Sequence, residues 1–253
     1  MKKGILTTAL SVLVLAAMIF GFSFSTDPGT KAPIQPTVQK NNPYIVYGAP
    51  LDGPLSTLNE SFEATAFPPT GWLLLNPGGG TGWNRQVAGT TPVPGFNGGN
   101  ITVPTGGGSA VAFCNYITGN SSGGSSGVSD QWLVTPQITN VQANDSLTFW
   151  LRKFGSYADN LNVKISTTTP TVAGMTVSVA AISFTAADSG WVQYKYKIGG
   201  LVPNGSNIYI GIQEYCANVA VDGASFSLDL VQYTSSTPVT FAWSEQTSGV
   251  TTE

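Results

Sequence analysis

The chain has 253 residues and no histidine, which decides what chemistry its other reactive side chains can carry. Ser-His-Asp and Cys-His nucleophiles and histidine-based zinc sites all need an imidazole as base or ligand, so they are excluded. Carboxylates, two cysteines and aromatic rings remain. Glycoside hydrolysis needs two carboxylates about 5 to 9.5 Å apart. Glu60 and Glu63 are three residues apart on an expected strand and therefore point to opposite faces, while Glu214 stands alone. With no paired-acid motif, phosphate loop or dinucleotide fingerprint, the chain is not expected to be an enzyme. Cys114 and Cys216 admit two readings: a disulfide closing a long loop, contributing about 4 kcal/mol in the chain-entropy model, or two buried free thiols packing as small hydrophobes. The tryptophans and tyrosines suggest a third chemistry, since an aromatic face packs well on the apolar face of a pyranose. Trp83 and Tyr157, beside glycine-rich or polar loops, are the candidates for exposure and ligand binding.

The elements that must position these groups follow from composition and periodicity. Only 9% of residues are charged, Gly and Pro number 30 and 16, and Ser, Thr and Asn are abundant, the profile of an extracellular all-β protein. Lys2-Lys3, an apolar run from Ile5 to Phe24 and small residues near Thr26 read as a bacterial secretory signal peptide over 1–25, the alternative being a membrane anchor. Its removal takes two Lys and no acid from 10 basic and 13 acidic residues, leaving a formal charge of −5. Such a chain attracts neither nucleic acid nor anionic lipid, and no membrane insertion is expected after cleavage. Prolines 28, 33, 36, 43, 50 and 54 mark 26–56 as an extended linker.

From about 57 to 234 short alternating runs replace the prolines. Leu161, Val163 and Ile165 share one face of a strand, as do Ile208, Ile210 and Ile212, and Val192, Tyr194, Tyr196 and Ile198 share another with Lys195 and Lys197 turned outward. No window of the mature chain carries a helical period, so helices should be limited to single turns and an antiparallel sandwich is the economical solution. Gly78–Gly80, Gly106–Gly108 and Gly119–Gly127 must be loops, and loops on a rigid sandwich are where binding residues gather.

In order along the chain stand Glu60-Ser-Phe-Glu63, Phe67-Pro-Pro-Thr-Gly-Trp72, Gly82-Trp83, Trp132-Leu-Val-Thr-Pro136, Leu147-Thr-Phe-Trp150 and Leu228-Asp229. This succession resembles the choice-of-anchor J and cleaved-adhesin family, whose best-known members are the haemagglutinin/adhesin domains of gingipains. The resemblance implies a jelly-roll β-sandwich of the galactose-binding or MAM type, non-catalytic, surface-exposed and often calcium-bound. It places Trp72, Trp132 and Trp150 in the core. It also sets Glu63 opposite Asp229 as oxygen ligands for structural calcium. The loop that is Asp-rich in the family reads Asn76-Pro-Gly-Gly-Gly-Thr-Gly82 here, so the Asn76 side chain and loop carbonyls would have to complete the shell. Leu230 stands where the family has a second terminal acid, and the alternative is a hydrogen-bonded carboxylate without metal. Asp130 and Asp159 match acidic positions of the family or cap turns. Over 235–253, Trp243-Ser-Glu-Gln-Thr-Ser-Gly249 resembles the opening strand of a BNR-type propeller blade, which would require the natural chain to continue. The alternative is an unstructured tail.

The function expected is that of a secreted or cell-surface bacterial module, non-catalytic, binding an extracellular glycan or a host or matrix protein through its loops. A purely structural spacer without a soluble ligand is the alternative.

Overall fold

A computed structural model describes residues 58–236. The predicted leader, the linker and all of the tail beyond Ser236 lie outside the described residues. Eleven strands follow in chain order: β1 (Leu58–Glu60), β2 (Leu73–Leu75), β3 (Asn84–Val87), β4 (Ala110–Asn115), β5 (Ser129–Val134), β6 (Ser146–Phe154), β7 (Asn160–Ser166), β8 (Val177–Ser183), β9 (Val192–Lys197), β10 (Tyr209–Cys216) and β11 (Ser225–Thr234). The single 3₁₀ turn Val172–Gly174 is the one helical element among the described residues.

Two antiparallel sheets form. One runs β3-β4-β11-β6-β9, with β1 also on β11, and the other runs β2-β5-β10-β7-β8. The alternation expected from the sequence is what packs them together. Leu161, Val163 and Ile165 of β7 and Ile210 and Ile212 of β10 are fully buried against Leu147, Phe149 and Leu151 of β6 and Phe226 and Leu228 of β11. This is the expected all-β jelly-roll sandwich. Among the described residues, no helix is long and apolar enough to cross a membrane.

On β9, Tyr194 and Tyr196 turn inward and pack on this core while Lys195 and Lys197 are exposed. Val192, expected on the same inner face, is instead exposed, because it lies at the end of an edge strand beyond the core's reach. Trp72 and Trp132 are buried as expected, and Trp150 is half-buried.

β4 is different in kind. All six of its residues are buried, which period-two alternation alone cannot produce. Its second face is covered by the long connection between β3 and β4, whose Val93 and Ile101 pack on Val111 and Phe113 with Phe96 beside them. That connection carries Phe96 to one end of the sandwich, where the loops after β6 and β10 also arrive.

Candidate functional site

Two regions concentrate the chemistry. The first is a groove at the sandwich end. It has a recess of about 400 Å³ and a second of about 270 Å³, and Phe96, Asn97 and Tyr157 line both. Tyr157 is 60% exposed, as is Val221, which also lines the larger recess, whereas Phe96 is held edge-on between Tyr116 (ring centroids 6.0 Å) and Phe154 (5.4 Å).

Buried charges fix the walls. The ammonium of Lys153, 1% exposed, donates to the carbonyls of Gly155 and Ala186, the latter at 3.0 Å, and so ties the Tyr157 loop to the connection before β9. Burial lowers its pKa, and the nearby charge of Asp159 works in the opposite sense. Asp159 accepts from the amides of Asn160 (2.7 Å) and Ala224 (3.0 Å), and Gly223 N–H donates to Ala158 O at 2.9 Å, clasping the Tyr157 loop to the wall formed by 219–223. The Arg152 guanidinium grips Asp188 with two bonds, Nε to Oδ1 at 2.9 Å and Nη2 to Oδ2 at 2.6 Å, and Nη1 donates to Asn100 O and Thr102 Oγ1. That fork holds the Asp188 carboxyl below its ordinary range. Buried, fully partnered charges of this kind make a rigid wall.

Beneath this wall Asp159 meets Glu214. Burial raises Asp159 to about 6, and burial followed by the charge of Asp159 pushes Glu214 well above the usual carboxylate range. Glu214 Oε2 accepts from Ser129 Oγ (2.6 Å) and Gln131 Nε2 (2.8 Å), while its Oε1 has no donor. Two buried carboxyls this close cannot both ionise, so one proton is retained between them. Both are sealed from solvent, with Glu214 at 0% and Asp159 at 4% exposure, so the pair cannot reach a substrate. Cys114 and Cys216 are buried free thiols near the same acids. Burial pushes the Cys216 thiol up to about 12 and the Cys114 thiol well above its ordinary value, which suppresses the reactive thiolate. Of the two readings of the cysteines, the structure has free thiols.

The second region lies where β4 ends and β1 begins along β11. Their registers on β11 cover Ser225–Leu228 and Val231–Tyr233, leaving a gap at Asp229 and Leu230. The backbone is left-handed at Phe62 (φ 58°) and Leu230 (φ 49°), a conformation that costs a non-glycine residue energy and must be held by its surroundings. Glu63 receives Ser109 N–H, Ser109 Oγ–H (2.7 Å) and Ala110 N–H (3.0 Å). Burial pushes its carboxyl up, but these donors outweigh it and hold the group below its ordinary value. Asp229 Oδ1 accepts from Leu230 N–H at 2.7 Å, while Oδ2 is buried without a donor. Burial, then the charges of Glu63 and Glu60, push Asp229 up to about 7. Only glycines fit over the pair, because a Cβ on Gly107 would lie 2.1 Å from Asp229 Oδ2 and one on Gly108 2.5 Å from the Glu63 carboxyl carbon.

The structure therefore brings Glu63 and Asp229 together but sets Asn76 elsewhere. The Asn76 side chain packs on Gly82 with its Oδ1 buried and without a donor, and it bonds to neither acid. No group of three or more Cys, Asp or Glu side chains converges as a metal site among the described residues. Trp83 requires a correction. It is 1% exposed and lies in the main core, so its face is closed to any ligand. Gly78 N–H bonds to Asp130 O and Gly82 N–H to Thr118 O, which folds the glycine loop down on the body and drives the ring inward. Tyr157 is where the sequence put it, on an exposed loop. Phe96, Val221 and Asp222 were missed, because each looks like ordinary loop sequence until the fold joins segments more than a hundred residues apart. The apolar run Val219-Ala-Val221 between polar residues was the one available signal.

In comparison with known proteins, no family model and no curated protein matches the chain. Solved structures do. A cleaved adhesin domain of Lys-gingipain from Porphyromonas gingivalis is 20% identical, with 71% of this chain and 98% of that domain covered at a TM-score of 0.52. A second cleaved adhesin domain of the same protein matches with the same identity and coverage at a TM-score of 0.50. The fold that the motif order implied is thus the fold found.

Proposed function

We propose that this protein is an exported, non-catalytic binding module that takes an extracellular glycan in the Tyr157 groove. The observation that carries the reading is a largely exposed tyrosine across two joined recesses whose walls are fixed by buried charges. Such a surface offers an aromatic platform at little ordering cost, and its size falls in the usual range for small-ligand sites. The non-catalytic reading is supported by the acids themselves. Asp159 and Glu214 are sealed, and Asp188 is locked in the Arg152 fork, which keeps it from acting as a general acid at neutral pH. Calcium has a structural place in this reading, held by Asp229 and Glu63, and the donorless Asp229 oxygen supports it because hard cations take such oxygens. The ion would neutralise the gap in β11 and take no part in ligand chemistry.

The test is a glycan and matrix-protein array probed with the native protein and Tyr157→Ala, in millimolar calcium and in chelator. Saturable glycan binding lost in the variant is the expected result. A cooperatively folded protein that binds nothing would favour a structural spacer.

A further inference from the structure

We infer that the groove selects uncharged oligosaccharides at least two units long and rejects acidic sugars, an inference that rests on the glycan-binding reading above. Charge at the two recesses sets the preference. Asp222 borders the larger and Asp188 the smaller, and among the described residues no cation is free beside either. Arg152, the nearest guanidinium among the described residues, directs four of its five N–H donors to Asp188, Asn100 and Thr102. The ammonium of Lys153 is buried under the Gly155 and Ala186 carbonyls.

The remaining basic side chains of the described residues lie elsewhere. Arg85 is bonded to the carbonyls of Phe62 and Glu63, and Lys164 sits over Trp132. Lys195 and Lys197 pair in register with Thr148 and Ser146, six and eight residues back along β6 from Phe154, so the nearer is about 20 Å away at strand rise. A carboxylate, sulfate or phosphate entering the groove would thus meet the exposed carboxylate of Asp222 and exchange its hydration for neutral donors alone, with no cation of the described residues beside it. A neutral sugar suffers no such penalty. Its hydroxyls can donate to the exposed Asp222 and to the solvent side of Asp188, charge-assisted bonds of the stronger class.

Length follows from shape. Tyr157 and Phe96 border both recesses, so a ring stacked on Tyr157 leaves room for a neighbour on either side. A single ring can fill only one recess, and a chain of two or three engages both.

The experiment titrates the full protein by calorimetry with neutral gluco-, galacto- and manno-oligosaccharides of one to four units. Each is matched to its uronic-acid or sialylated counterpart, and a Lys-rich peptide serves as a further arm. The expected result is binding of at least one neutral series, improving about tenfold from one unit to two, with the acidic counterpart weaker by tenfold or more at low salt. Asp222→Asn, a surface change, should narrow that gap. Acidic glycans binding as well as or better than neutral ones would overturn the inference while leaving the glycan-binding reading intact. Binding of the peptide in place of any sugar would overturn both, as would silence from every saccharide.

Discussion

The groove and the Glu63–Asp229 gap use the same kinds of side chain and reach opposite electrostatic outcomes. At the groove each of Arg152, Lys153 and Asp159 bridges two segments and finds a partner, so the walls are neutralised from within and the surface left over is an aromatic ring, the solvent side of the Arg152–Asp188 pair and the exposed Asp222. At the gap a carboxylate oxygen is buried with no donor, and two further acids raise its proton affinity. The surface of the groove is finished without a ligand, the donorless Glu214 oxygen beneath it belonging to a sealed pair that keeps its own proton, whereas the gap is completed only by a proton or a cation. The difference separates a recognition surface, which must be rigid before its ligand arrives, from an ion site, where binding itself removes an electrostatic defect.

The largest effect expected at the groove is at Lys153. Lys153→Met keeps the length of the side chain but leaves the buried Gly155 carbonyl and the part-buried Ala186 carbonyl without their donor, at a cost of about 2 kcal/mol. Urea unfolding should register that loss, and oligosaccharide affinity should fall with it because the Tyr157 loop is no longer tied down. A variant of unchanged stability would mean that the ammonium is not the pin.

Calcium should sharpen the other side of the comparison. At a hundredfold excess over Kd, an ion held only by the folded state adds about 2.7 kcal/mol. Replacing both Glu63 and Asp229 by Ala should therefore lower the melting temperature more in calcium than in chelator, where the Glu63 bonds to Ser109 and Ala110 are lost but no ion is. An equal loss in chelator would sink the ion assignment.

A smaller effect is expected from the acids beneath the groove. Asp159 has an ordinary value of 3.8 and a folded value of about 6, so the folded state keeps the proton longer. Its contribution to stability is complete below pH 3.8 and is lost as pH rises through about 6. Asp159→Asn should flatten stability against pH in that window relative to the native chain, and melting curves from pH 4 to 7 measure it. Parallel curves for the two proteins would place the titration elsewhere.

How much of this was legible beforehand depends on whether one strand or several segments set the answer. The inward faces of β7 and β10 are written in Leu161-Asn-Val163-Lys-Ile165 and Ile208-Tyr-Ile210-Gly-Ile212, because alternation is a local property. The Glu63–Asp229 pairing was implied by the resemblance in motif order, and the structure places both residues together. Trp83 was misjudged because its neighbours are glycines, and only the bonds from Gly78 and Gly82 to distant carbonyls show that the loop is packed. Val192 failed for a similar reason, since alternation gives a side chain's direction and not whether the opposite sheet extends beneath it. The groove was half legible. Tyr157 is exposed on its loop as expected, but Phe96 and Asp222 enter only when three connections converge on one end of the sandwich.

The central claim, that the Tyr157 groove is the recognition surface, is most directly tested by mapping a neutral oligosaccharide onto the protein by NMR chemical-shift titration. Saturable shifts should cluster at Phe96, Asn97, Tyr157 and 219–223 and spare Trp83 and the Glu63–Asp229 gap. Shifts centred on any other surface would contradict the claim.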